Sequence, residues 1–162
     1  MAFDAFLKIQ GIPGESNDQA HKDWIEALGF SHGMTQAATG HGRAHAPEVR
    51  GRCELRDFSI VKVVDKATPL LAKHLCENKL IPEVKIELCR AGGNKEKYLE
   101  YTLSNVIVSS ISASKGQGGA GLPLEEVTFS YGKITWTYFQ TDLKTAKPKG
   151  SVEFEYDLSA AK

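Results

Sequence analysis

Apolar residues in this chain recur mostly at every second position, in runs separated by breaks rich in Gly, Pro, Lys or small polar residues. Phe3, Ala5, Leu7 and Ile9 alternate with Asp4, Lys8 and Gln10, with Phe6 as the exception. Val84, Ile86 and Leu88 alternate with Lys85 and Glu87, and Val152, Phe154, Tyr156 and Leu158 with Glu153, Glu155 and Asp157. A period of two places one face of a strand on a core and the other in water or polar contact. Val, Thr, Ile and aromatic residues dominate these runs, as a pleated surface prefers. Three runs change phase: Leu55 to Phe58, Leu103 to Val106, and Tyr131 to Ile134 across Gly132. A phase change needs a bulge, a bend or a strand that crosses between sheets. The pattern therefore predicts strongly curved sheets, a barrel or tight sandwich, with a hairpin at Ala91-Gly92-Gly93-Asn94.

One helix is expected over about residues 68–78. Thr68 is placed to cap it, Pro69 sits at the first helical position, and Leu70, Leu71, His74 and Leu75 form one stripe. His74 reads as a packed or capping group near the C-terminal dipole. Local rules favour a second helix over Ser16 to Leu28. Ser16 and Gln19 have capping-box spacing, Trp24, Ile25 and Leu28 share a face, and Gly29 would stop it.

The chain has 162 residues, enough for one domain over 1–162 that buries roughly 68–70% of its unfolded surface without disulfides. Twenty Lys and Arg balance twenty Asp and Glu, so no cation excess exists to displace counterions from a nucleic acid. No apolar run approaches the ~20 residues that span a bilayer, and no basic leader precedes an apolar stretch at the N-terminus. Cys53, Cys76 and Cys89 cannot all pair within one chain, lack a CxxC, and read as buried or half-buried small hydrophobes in a protein made in the reducing cytosol.

Catalytic and cofactor signatures do not emerge. Gly116, Gly118 and Gly121 spell GxGxxG, but Pro123 and the strand-like Val127-Thr128-Phe129 follow where a dinucleotide fold needs a helix. His41 and His45 have i, i+4 spacing, with His32 nearby, yet Gly40 and Gly42 disfavour the helix that would aim them at zinc. Ser16 lacks the second glycine of a nucleophile elbow. Glu125 and Glu126 are adjacent and would point to opposite faces of a strand. Serines between Ser104 and Ser114 flank apolar strand residues and read as the polar face of a sheet. No catalytic, cofactor-binding or metal-binding residue is assigned, and the chain does not read as an enzyme.

Taken in order, several segments resemble the haemolysin-coregulated protein (Hcp) family, the tube protein of type VI secretion. They are Phe3-Asp4-Ala5-Phe6-Leu7-Lys8-Ile9 with Gly14-Glu15-Ser16, Asp57-Phe58-Ser59, and Val64-Asp65-Lys66-Ala67-Thr68-Pro69. Arg90-Ala91-Gly92-Gly93, Tyr98-Leu99 with Thr102-Leu103, Asn105 through Ser112, Pro123-Leu124-Glu125 and Gly132-Lys133-Ile134 complete the pattern over nearly the whole chain. The resemblance implies a mainly β fold, a β-barrel of two packed antiparallel sheets with one flanking helix. It also implies that Trp24 to Met34 is strand, against local propensity. It further implies hexameric rings that stack into a tube, expelled with a spike when a sheath contracts and carrying small effector proteins in the lumen. Such a protein is cytoplasmic before firing and then secreted without a cleavable signal peptide. His32 departs from the family, standing where an aromatic is common, and Met34 to Arg52 carries its own composition. The chain ends directly after its last strand, so no fused toxin domain is expected.

A ring of identical copies needs a head-to-tail contact whose rotation closes, and unpaired strand edges are its natural site. Loop candidates for ring stacking are Gly40, His41, Arg43, His45, Arg50, Ala91, Gly92 and Gly93, and Ser31 is a candidate for the lumen face. A net charge of zero spares a stack of copies from self-repulsion. Two other readings are a β-barrel holding a small apolar ligand and a hydrolase using an unrecognised serine and histidine.

Overall fold

The structure, a computed structural model, describes residues 2–38, 50–93, 95–114, 121–142, 144–145 and 147–160. Its elements in chain order are β1 (Phe3–Ile9), β2 (Ile25–Ala27), β3 (Gly29–Ser31), β4 (Met34–Ala38), β5 (Arg50–Leu55) and β6 (Phe58–Val63). There follow α1 (Thr68–Cys76), β7 (Ile81–Arg90), β8 (Lys97–Ser114), β9 (Leu124–Ser130), β10 (Lys133–Thr141) and β11 (Pro148–Asp157). All pairings are antiparallel. One sheet runs β2-β1-β7-β8-β10-β11, the other β8-β9-β6-β3, and β4 pairs with β5 apart from both.

The long strand β8 belongs to both sheets, and its phase change is the corner. Asn105 sits there at φ 53°; the residues before it, and Val106, pair with β7 or β10, while Ile107 onward pairs with β9. Gly132, between β9 and β10, stacks its own break on that corner: its N–H donates to Ser104 O and Asn105 O at 3.0 and 3.2 Å. The Leu55 to Phe58 change is a boundary between β5 and β6, not a bend within one strand. On the opposite side the chain passes from β2 to β3 through Leu28, whose N–H donates to Val61 O at 2.7 Å. The two packed sheets and single flanking helix match the expected architecture, but the ladder does not close into a complete barrel. β2 and β3, three residues each, stand at its two ends.

Alternation supplies the core. Leu7, Ile86, Leu103 and Ile134 of one sheet meet Phe58, Ile60, Val127 and Phe129 of the other, all fully buried. Core side chains of both sheets thus form one buried cluster. The helix adds Leu71, with Leu70 and Leu75 half-buried beside it. Thr68 does not cap it: Ala67, which has no side-chain acceptor, holds the N-cap position, and Thr68 Oγ1 donates to Glu125 instead. The helix ends at Cys76, which is exposed there, unlike the buried Cys89 and half-buried Cys53 and against the expected burial of all three. Asn78 follows at φ 50°, with Asn78 N–H on Leu75 O and Lys79 N–H on His74 O, a Schellman closure. His74 Nδ1 bonds Leu70 O within the helix at 2.8 Å.

Residues 16–24 are not helical. Ser16 Oγ accepts from Asp18 N–H rather than forming a capping box with Gln19, and Asp18 Oδ1 accepts from Ala20 and His21 N–H. Gly14 explains why the segment is held so tightly: a Cβ there would lie 2.4 Å from Trp24 O and 2.6 Å from Ile25 Cα. The segment covers the outer face of the first sheet, where His21 stacks on Phe6 at 4.1 Å between ring centroids. That contact buries Phe6, the exception to the alternation of β1. The strand reading of Trp24 to Met34 holds for β2 and β3, and β4 begins at Met34.

Candidate functional site

Three surfaces and one buried cluster carry chemistry. At the β11 edge, Phe154 lies opposite Trp136 and Val152 opposite Tyr138, in the register that puts Ile134 into the core. These side chains thus share the core face of the sheet, beyond the reach of the second sheet. Val152 is 62% exposed, Phe154 59% and Tyr138 44%. The alternation of β11 predicts burial, and nothing in the described chain supplies it. An uncovered, apolar, unpaired edge strand is a self-association surface unless blocked.

The outer face of the second sheet is polar and built largely from small hydroxyl residues. Ser31 pairs across the ladder with Ser59, Ser59 with Thr128, and Thr128 with Ser110, one row across β3, β6, β9 and β8. Ser59 Oγ donates to Glu126 Oε1 at 2.7 Å and lies 3.1 Å from Thr128 Oγ1. Sequence reasoning named Ser31 and the Ser104–Ser114 polar face but missed Ser59 and Thr128, which only the register joins to them. At the opposite edge of the first sheet, Leu28, Leu122 and Phe3 are exposed around grooves that also include Glu15, Glu26 and Asp65.

Of the stacking candidates, Gly40, His41, Arg43 and His45 lie outside the described residues, and Arg50 opens β5. Ala91, Gly92 and Gly93 are exposed in the β7–β8 turn. Gly121 is described at φ 68°, whereas Gly116 and Gly118 are not described. Glu125 is buried and Glu126 exposed, on opposite faces as expected. His32 takes an aromatic role: it stacks on Phe58 at 5.5 Å and approaches Tyr101, Tyr131 and Trp136. Its Nε2 donates to Tyr131 Oη at 2.7 Å, since the Tyr131 hydroxyl itself donates to Arg56 O. Burial holds the His32 imidazole below its ordinary pKa of 6.5.

The buried cluster lies under residues 16–24. His21 Nδ1 is 2.7 Å from Asp18 Oδ1, and its Nε2 is 2.7 Å from Glu87 Oε2. Lys97 bridges Glu87 and Glu100, and Lys95 binds Asp18 Oδ2 at 2.9 Å. The Lys95 ammonium and then His21 hold the Asp18 carboxyl down to about 2. Burial, helped by Glu87, Asp18 and Asp4, pushes the Cys89 thiol up to about 11.

Comparison with known proteins places this architecture. Residues 6–138 match the family described as "Type VI secretion system effector, Hcp". The chain belongs to the Hcp family. It is 35% identical over 159 residues to "Protein hcp1" of Pseudomonas aeruginosa, covering 98% of this chain and 96% of that one. It is 32% identical over 139 residues to the "Major exported protein" of the same organism, covering 77% and 74%. A solved type six secretion system protein superposes with a TM-score of 0.90 at 30% identity, over 99% of both chains. Hcp1 from Salmonella typhimurium gives 0.77 at 30% identity, over 100% and 99%. This Hcp chain is thereby a secreted protein of type VI secretion, from a family of structural components.

Proposed function

We propose that this Hcp chain, as one domain, is the subunit of a type VI secretion tube, a structural part and not an enzyme. Six copies close a ring, rings stack, and the tube leaves the cytoplasm with the spike when the sheath contracts, needing no cleavable signal peptide. The observation that carries the reading is the open core face of β10 and β11, with Val152 and Phe154 uncovered at a strand edge. A cyclic ring needs two different patches per copy. The second is the opposite edge of the same sheet, where Leu28, Leu122 and Phe3 are exposed. Covering the exposed part of Val152 and Phe154 is worth on the order of 1–2 kcal/mol each.

The hydroxyl row of Ser31, Ser59, Thr128 and Ser110 is the wall turned to the lumen. Short hydroxyl side chains present hydrogen-bonding groups without a sticky apolar surface, which suits transient holding of varied small effectors. The Ala91-Gly92-Gly93 turn, with the Gly40 to Arg50 segment, makes the ring-to-ring contacts. Negative-stain microscopy of the purified protein tests the assembly: annular particles and short stacks are expected, and uniformly monomeric particles at high concentration would refute it.

A further inference from the structure

The cluster beneath residues 16–24 has the donor set of a transition-metal site. Phe6 lies opposite Glu87, and Glu87 opposite Glu100, in one row on the outer face of the first sheet. Asp4 and Cys89 form the next row on that face. The covering segment lowers His21 onto these rows. A ligand atom each from His21, Glu87 and Cys89 lies within 4.8 Å of the other two, and the His21 and Cys89 residues are buried.

The hydrogen bonding itself calls for a cation. Both imidazole nitrogens of His21 face carboxylate oxygens at 2.7 Å, yet a neutral ring can donate from only one nitrogen. Nδ1 on Asp18 is the arrangement that orients a ligating histidine, with the carboxylate behind it and Nε2 directed at the metal. Glu87 divides its work, offering Oε1 to Lys97 at 3.3 Å and Oε2 to Nε2 of His21. Cys89 supplies a soft donor beside them.

We propose that His21 Nε2, Glu87 Oε2 and Cys89 Sγ bind one divalent ion of the zinc class, in place of the proton shared between His21 and Glu87. One nitrogen, one oxygen and one sulfur suit a tetrahedral ion, with a water as fourth ligand. Binding expels the Cys89 thiol proton to solvent, so affinity falls as the solution is acidified. Entry requires displacement of Lys95, whose half-exposed ammonium spans Asp18 at 2.9 Å and Asp4 at 3.7 Å on the rim. The bound ion would pin residues 16–24 to the sheet.

The test is titration of the full-length, chelator-treated protein with Co2+, followed by Zn2+. One Co2+ per chain is expected, with a thiolate-to-cobalt charge-transfer band that Zn2+ abolishes. The double variant Cys53→Ser/Cys76→Ser keeps the band, Cys89→Ser loses it, and Asp18→Asn weakens Co2+ binding by about 10–100-fold. No band in the unaltered protein overturns the proposal, as does a band that survives Cys89→Ser. Should Cys89→Ser fail to fold, the double variant decides, because Cys89 is then its one thiol: a band supports the site and its absence overturns it.

Discussion

Lys62 Nζ lies 2.5 Å from Glu125 Oε1, directly across the β6–β9 ladder, with side chains 0% and 1% exposed. The same ammonium reaches Asp65 Oδ1 at 2.7 Å, and Thr68 Oγ1 donates to Glu125 Oε1 at 2.7 Å. Asp65 also accepts from Ala67 N–H at 2.9 Å. One buried charge network thus ties the first turn of α1 to two strands of the second sheet. Buried charges are retained where every partner is satisfied, and none of the described buried side-chain polar atoms lacks a hydrogen bond.

Breaking that network from one side should be costly. Lys62→Met leaves Glu125 and Asp65 facing each other without a cation, and is expected to destabilise by about 3–5 kcal/mol. Lys62→Met combined with Glu125→Leu should recover part of the loss, because the uncompensated buried charge is removed. Urea unfolding of Lys62→Met, Glu125→Leu and the double variant measures the coupling, and strict additivity would contradict it.

Gly14 allows a sharper steric test. Gly14→Ala places a methyl 2.4 Å from Trp24 O against backbone that cannot swing away, and should cost about 1–3 kcal/mol or more. Gly29→Ala meets no heavy atom within 4 Å and should change stability by about 0.5 kcal/mol or less. Comparing their thermal midpoints checks the close approach of residues 14 and 24.

His32 predicts a pH dependence. Its folded-state pKa lies below the ordinary 6.5, so the unfolded chain binds a proton that the folded protein resists. The resulting stability is complete above about pH 6.5 and is lost as pH falls through the lower folded value. His32→Phe, which keeps the stacking on Phe58, should flatten the stability profile on the acid side of about pH 6.5 relative to the unaltered chain. An unchanged slope would remove His32 from the explanation.

Much of this organisation is legible in the sequence, and the exceptions have physical causes. Alternation at Val84, Ile86 and Leu88 reports burial directly, and Leu103 to Val106 marks the sheet corner because a strand cannot change face without a bulge. Residues 16–24 mislead, since their fate is set by Gly14 packing and by His21 on Phe6, contacts that local propensity does not encode. Nothing next to Lys62 in the sequence marks its partner, and only the register brings Glu125 beside it. Val152 and Phe154 read as core, yet both are exposed in the isolated chain: their face has the composition of a core without its cover.

The ring contact is the central claim, and native mass spectrometry of the full-length protein against Val152→Glu/Phe154→Glu tests it most directly. Both positions are exposed in the isolated chain, so the double variant should retain monomer stability to within about 1 kcal/mol. Hexamers and multiples of six are expected for the unaltered protein, and monomers for the variant at the same concentration. Monomers from the unaltered protein at every concentration, or hexamers undiminished in the variant, would contradict it.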